Sequence, residues 1–168
     1  MIVIYTGAGK GKTSAALGQA LRALGHELRV IFAQFVKRGG VAGEQALLER
    51  LLGSDFLAGG LGFFKDRGKF EEHRAASRNA LDWVLARLRS GVQVCILDES
   101  LYALQLGLIL REEMDEILGQ ADEHGVHLVL TGRDAPEWLI DQADVVTEMV
   151  CRKHHFQEGR TAVRGIEF

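Results

Sequence analysis

Apolar residues in this chain alternate between two spacings. Short, nearly continuous runs rich in β-branched residues occupy Ile2-Val3-Ile4 and positions 28–35, 92–97, 127–130 and 143–151. Such runs suit strands covered on both faces. Between them the spacing becomes that of amphipathic helices. Leu17, Ala20, Leu21 and Leu24 fall at i, i+3, i+4 and i+7 within 13–24. Ala76, Ala80, Trp83, Val84 and Leu88 mark one stripe of a long helix over 71–90. Met114, Ile117, Leu118 and Ala121 mark one face of another over 112–123. Residues 43–52 read as a further helix, and Gly25, Gly53 and Gly91 stand where helices stop. Asp134 and Pro136 signal the start of a helix over 134–142. Residues 56–64, interrupted by three glycines, make a poorer strand, and 162–168 a short terminal one.

The alternation is regular, with one proline and no repeat, low-complexity stretch or linker, and it predicts one domain over 1–168. The predicted fold class is α/β: a three-layer α/β/α sandwich around a mostly parallel sheet of about six strands, with right-handed crossovers. Chemistry is expected at the carboxyl edge of such a sheet.

Gly7, Ala8, Gly9, Lys10, Gly11, Lys12, Thr13 and Ser14 join the first strand to the first helix. A glycine-rich turn ending in Gly-Lys-Thr at that junction is a phosphate-binding P-loop, which makes the expected fold RecA-like. Its glycines let backbone N–H groups converge, and the helix adds its own orphan N–H groups and positive dipole end. Lys12 reaches the β/γ-phosphates, and the Thr13 hydroxyl holds a cation. The position that usually carries the first glycine holds Thr6 instead. The run at 92–97 ends in Asp98-Glu99. Acids at the end of a buried strand are costly unless they serve a charge, and here they occupy the Walker B position for Mg²⁺ (or Mn²⁺). Lys37, in a flexible basic turn with Gly39-Gly40, lies beyond another strand end, and Arg133 beyond a third, available to a phosphate or carboxylate. Phe63 and Phe64 point opposite ways on an extended segment, leaving one of them to face a ligand.

Composition narrows the class further. Hydrophobic residues at 47% and charged residues at 26% are ordinary for a soluble globular protein. A net charge of −3 without a Lys/Arg block argues against nucleic acid, and no apolar run has membrane-spanning length. The first residues lack the charged start of a signal peptide, so a cytoplasmic protein is expected. Cys95 and Cys151 lie in apolar runs and read as buried free thiols. The histidines show no zinc spacing, and His154-His155 reads as a solvated turn. No Ser-His-Asp or Cys-His arrangement stands out. These residues by themselves describe a Mg-dependent nucleotide-binding domain. They leave open a small-molecule or nucleoside kinase, with Glu44 or Asp66 as acid or base, and a nucleotide-driven ATPase switch.

A resemblance goes further. Tyr5-Thr6-Gly7-x-Gly9-Lys10-Gly11-Lys12-Thr13-Ser14, Gln34-Phe35-x-Lys37, Gly43-Glu44, Leu97-Asp98-Glu99-x-x-Tyr102, Leu130-Thr131-Gly132-Arg133-x-Ala135-Pro136, Val146-Thr147-Glu148-Met149, Lys153-His154-x-Phe156 and Gly165-Ile166-Glu167-Phe168 stand in that order. Together they resemble the P-loop type ATP:corrinoid (cob(I)alamin) adenosyltransferase family. The resemblance implies transfer of the 5′-deoxyadenosyl group of ATP to Co(I) of a corrinoid, with release of triphosphate, in adenosylcobalamin synthesis or salvage. It implies Thr13 and Glu99 as Mg²⁺ ligands beside Asp98, Lys12, Thr13 and Glu99 as catalytic, and Gly7 to Ser14 as the triphosphate cradle. It places Lys37, Glu44 and Arg133 at the nucleotide and Phe63 at the corrinoid. A flavoprotein electron donor and a homodimer are implied as well. Ala8 replaces the family's usual Asn, and Lys65 stands where a tryptophan is common. Longer members carry an N-terminal lid, which is not expected here because the first strand begins at Ile2.

Overall fold

The computed structural model describes residues 1–64, 66–155 and 159–166. In chain order the elements are β1 (Ile2–Thr6), α1 (Lys12–Leu24), β2 (Val30–Gln34), α2 (Gly43–Leu52), β3 (Phe56–Ala58) and α3 (Phe70–Leu88). They continue as β4 (Val94–Asp98), α4 (Ser100–Gln105), α5 (Arg111–Glu123), β5 (His127–Thr131), α6 (Glu137–Ile140) and β6 (Val145–Glu148). The six strands form one sheet in the order β3-β2-β4-β5-β1-β6, and every pairing is parallel.

Period-2 alternation divides the strand residues between two apolar layers. Phe32, Ile96 and Val129 pack with Ala16, Ala20 and Ala23 of α1 and Leu48 of α2. Ile31, Cys95, Leu97 and Leu128 face the other way, toward Ala80, Val84 and Leu88 of α3, Met114 and Ile117 of α5, and Leu139 of α6. All five residues of β2 and of β4 are buried, as a parallel sheet covered on both faces requires. Small alanines on α1 bring that helix close to the strands, which fixes the start of α1 against the carboxyl edge. β5 separates the P-loop strand β1 from β4, which carries the acidic end.

Several sequence expectations change. The 56–64 strand stops at Ala58. A Cβ at Gly60 would lie 2.2 Å from the Val36 carbonyl carbon, and Gly62 N–H donates to Val36 O at 2.8 Å, so the chain turns across residue 36 instead of extending. The helix expected over 134–142 is the single turn α6, with Pro136 at its N-cap. Asp134 is not the cap; at φ +50° it accepts instead from Gln105 Nε2 at 2.9 Å. α4, too short to show a period, was not foreseen. The 143–151 run pairs only over Val145–Glu148, and all four of those residues are exposed because β6 is an edge. Residues 162–166 are coil and turn, not strand; Glu167 and Phe168 lie outside the described residues. Cys95 is buried and Cys151 half-buried, and both are free. Among the described residues no helix is long and apolar enough to cross a membrane.

Candidate active site

The loop between β1 and α1 turns through Gly7 at φ +101° and Gly11 at φ +112°, conformations that cost glycine little. Gly11 is the N-cap of α1 and no side chain caps it, so the helix opens with its first N–H groups uncovered by side chains. Lys12 curls back over the loop. Its Nζ donates to Gly7 O at 2.8 Å and Gly9 O at 2.7 Å, and only 7% of the residue is exposed. Burial holds its pKa below the usual lysine value, with Arg133 adding to the depression against Glu99 and Asp98.

Met149, just past β6, fastens the loop from one side. Gly9 N–H donates to Met149 O at 2.6 Å, and Met149 N–H donates to Thr6 O at 2.8 Å. Thr6 is mostly buried, and its hydroxyl accepts from Ala135 N–H at 3.2 Å. Threonine at the place of the usual first glycine thus ties the loop to the segment that carries Arg133. Lys10 reaches out of the loop and donates to Ile166 O at 2.7 Å.

The acidic end of β4 lies beneath the start of α1. Asp98 is fully buried. Its Oδ1 accepts from Thr13 Oγ1 at 2.9 Å and Thr131 Oγ1 at 2.8 Å, and its Oδ2 from Gln34 Nε2 at 3.1 Å. Because Thr13 gives its proton to Asp98, its lone pairs remain for another partner. Lys37 Nζ bonds to Glu44 Oε1 at 2.7 Å and stands 3.5 Å from both Asp98 Oδ2 and Thr13 Oγ1. Burial works against the Lys37 charge, but Asp98 and Glu44 outweigh it and raise its pKa. Burial likewise opposes ionisation of Glu44, which the Lys37 hydrogen bond reverses, so its pKa falls. Glu99 follows in a left-handed conformation at φ +59°, with its N–H on Thr131 Oγ1 at 2.9 Å. Backbone of that kind is uncommon for glutamate, and the Glu99 side chain lines the cavity. Burial, helped by Asp98, raises the Glu99 pKa against the pull of Lys12, Lys37 and Arg133.

These groups surround one cavity of about 830 Å³. Of the site residues expected from the sequence, Ala8, Gly9, Lys10, Gly11, Lys12, Thr13, Ser14, Lys37, Glu44, Phe63, Glu99 and Arg133 line it. Gly7 and Asp98 do not; both lie behind it and support it. Leu17, Tyr102, His154, Gly165 and Ile166 line it as well. The wall built from 154 and 165–166 was not among the expected site residues: coil carries no periodic signal, and the one sign of it was that Lys153-His154 and Gly165-Ile166 belong to the fragments that carry the family resemblance. His154 is not in a merely solvated turn: it is half-buried and stacks on His155 with ring centres 4.7 Å apart. Phe63 is 77% exposed at the cavity, whereas Phe64 packs on Phe70 and His73. Lys65 and Phe156 lie outside the described residues.

A family profile described as ATP:corrinoid adenosyltransferase BtuR/CobO/CobP matches residues 1–168. The chain belongs to this family. A corrinoid adenosyltransferase of Pseudomonas aeruginosa is 36% identical over 174 residues, which span 100% of this chain and 83% of the relative. Relatives of the same description from a Sinorhizobium species and from Escherichia coli are each 34% identical, spanning 80% and 85% of their own lengths. Among solved structures, a KaiC-like protein from Pyrococcus horikoshii superposes with a TM-score of 0.52 at 16% identity, over 91% of this chain and 73% of that one. That likeness concerns the P-loop α/β fold alone. Family membership makes the chain an ATP:corrinoid adenosyltransferase, with ATP and a corrinoid as substrates, and the kinase and switch readings give way to it.

Proposed function

We propose that the loop from Gly7 to Ser14 holds the triphosphate of ATP while Co(I) of a corrinoid attacks the 5′ carbon. The supporting observation is that Lys12, Thr13, Glu99 and Arg133 meet at one cavity in a chain of this family. A cobalt–carbon bond forms with both electrons from Co(I), and the 5′ carbon–oxygen bond breaks with its pair leaving on triphosphate. The nucleophile comes from the substrate, so no side chain need supply one. The work of this chain is to meet the charge that gathers on the leaving oxygen. The loop N–H groups, Lys12, Lys10 and Arg133, which line the cavity, would do that. Phe63, exposed at the mouth, offers its ring to the corrinoid.

The donor set suits Mg²⁺ or Mn²⁺. Among the described residues no three His, Cys, Asp or Glu side chains converge, but a hard divalent ion keeps several waters and phosphate oxygens and needs few protein ligands. Thr13 Oγ1, with its proton committed to Asp98, and the Glu99 carboxylate would hold it, with Asp98 behind them. The Lys37 ammonium, 3.5 Å from Thr13 Oγ1, is itself stabilised here, so the spot favours positive charge. The ion supplies charge neutralisation on the triphosphate. Reduction to Co(I) must come first, and we assign it to a flavoprotein donor; a homodimer is proposed with it, to be checked by sedimentation.

The deciding experiment incubates the protein with MgATP and a chemically reduced corrinoid without oxygen. Triphosphate together with a new cobalt–carbon absorption spectrum is expected. ADP formed only with a nucleoside acceptor would establish a kinase instead, and ADP plus phosphate without any acceptor would establish a switch.

A further inference from the structure

Two buried glutamines next to the site form a chain of amides whose direction the backbone sets. Gln45 is 1% exposed and Gln34 0%, and neither lines the cavity. The Gln45 side-chain oxygen accepts from Val41 N–H at 3.0 Å and from Ala42 N–H at 3.3 Å. A backbone N–H only donates, so this amide has one orientation. Its Nε2 therefore faces the other way and donates to Gln34 Oε1 at 2.8 Å and Arg38 O at 3.1 Å. Gln34 is committed in turn, and its Nε2 donates to Asp98 Oδ2 at 3.1 Å and Glu44 Oε1 at 3.3 Å. Turning either amide over would set oxygen against oxygen, at Arg38 or at two carboxylates. Asp98 holds Thr13, and Glu44 holds Lys37, so the chain leads through two carboxylates to Thr13 and Lys37, which line the cavity.

We propose that Gln45 is a positioning residue. It reads the conformation of the 41–42 turn and, through Gln34, holds the Asp98 and Glu44 carboxylates in the arrangement that receives the metal-bound nucleotide. The proposal rests on the reading of Thr13 and Asp98 given above.

A double-mutant cycle tests the coupling of Gln45 to Gln34. Calorimetry measures binding of MgATP, and of ATP in excess chelator, to the wild type, Gln45→Leu, Gln34→Leu and the double variant. We expect each single variant to weaken MgATP about tenfold and metal-free ATP less than about threefold, since the Gln34 bonds to the Asp98 and Glu44 carboxylates are charge-assisted and Gln45 acts through Gln34. The double variant should bind MgATP no more weakly than the weaker single one. Losses that multiply would overturn the proposal, as would MgATP binding unchanged in Gln45→Leu. If Gln45→Leu does not fold, NMR of the wild type decides: both side-chain amides must exchange slowly with solvent, and fast exchange at either sinks the relay. None of these readouts uses a corrinoid, so failure of adenosyl transfer in the wild type would strike the proposed function and leave this result standing.

Discussion

Replacing Gly9 with alanine tests the fastening of the phosphate loop by Met149. The loop itself can accept a side chain at Gly9, because its φ is not in the left-handed region. The obstacle is across the gap. An added Cβ would lie 2.5 Å from Met149 O, 2.8 Å from Met149 C and 3.0 Å from Val150 C. These are backbone atoms and cannot rotate aside. Ordinary contact begins near 3.4 Å, so the segment after β6 must retreat by most of an ångström. That movement breaks the 2.6 Å bond from Gly9 N–H to Met149 O. Overpacking of one methyl costs about 1–3 kcal/mol and a lost hydrogen bond about 1 kcal/mol, together roughly 2–4 kcal/mol. For a chain of 168 residues each kcal/mol lowers Tm by about 2–4 °C, which gives a fall of roughly 5–15 °C.

The same substitution at Gly18 is the control. Gly18 lies on the exposed side of α1 and nothing would stand within 4 Å of its Cβ. Alanine there should raise stability by about 0.5–1 kcal/mol through helix propensity. Thermal unfolding followed by circular dichroism compares the two variants with the wild type. If Gly9→Ala melts within a degree or two of the wild type, Met149 does not clamp the loop and the close contact carries no energetic weight.

Three further outcomes follow from the site. Lys12→Ala and Glu99→Ala should each lower kcat/KM for MgATP at least about tenfold, since charged contacts at such sites contribute more than about 1.4 kcal/mol; near-normal rates in both would refute the site assignment. Phe63→Ala should leave Tm unchanged to within about 0.5 kcal/mol of stability, because a ring so exposed packs on little, while KM for the corrinoid rises and MgATP affinity holds. Glu113 takes a hydrogen bond and ion pair from Arg74 and the Leu110 N–H at 2.8 Å; burial alone would raise its pKa, but these partners outweigh it and lower it. Its stabilisation is therefore present above the ordinary carboxylate range and lost as pH falls through the depressed value. Glu113→Gln should destabilise by about 1 kcal/mol near neutral pH and by progressively less in acid, as urea titrations at several pH values will register.

Local signals carried most of the architecture. Helical spacing or a glycine stop, and for α1 and α3 both, placed α1, α2, α3 and α5 within a residue or two of their ends, because these signals are local to each helix. The buried runs located β2, β4 and β5, since a sheet covered on both faces selects apolar residues through the middle of its strands and leaves polar ones to their ends. Local patterns failed where a distant contact decides. Residues 56–64 had strand-like apolar residues, but the passage of the chain against Val36 bends them away. Asp134 had the chemistry of a cap, but Gln105 claims its carboxylate. The cavity wall at His154 and Ile166 has no period to detect and depends on Lys10, more than 150 residues earlier, holding Ile166.

The glycines of the loop between β1 and α1 answer to more than one demand. At Gly11 the φ excludes most side chains, and the flexible Met149 Sδ, at 3.4 Å, is the one atom near its Cβ, so the approach of a phosphate is the demand that fits there. Gly7 and Gly9 carry a second demand, because Met149 backbone passes within 2.6 Å and 2.5 Å of where their Cβ atoms would be. Either demand alone would select glycine, so the residue identity cannot tell them apart. The two demands separate by experiment. Excess MgATP stabilises any folded chain that binds it, in proportion to the logarithm of its concentration. A substitution that harms only phosphate contact lowers that ligand-dependent gain and leaves the ligand-free Tm in place. One that harms the Met149 clamp lowers the ligand-free Tm as well. Gly9→Ala should do the second, and Lys12→Ala, whose bonds to Gly7 and Gly9 carbonyls are few and whose charge is wanted by triphosphate, chiefly the first.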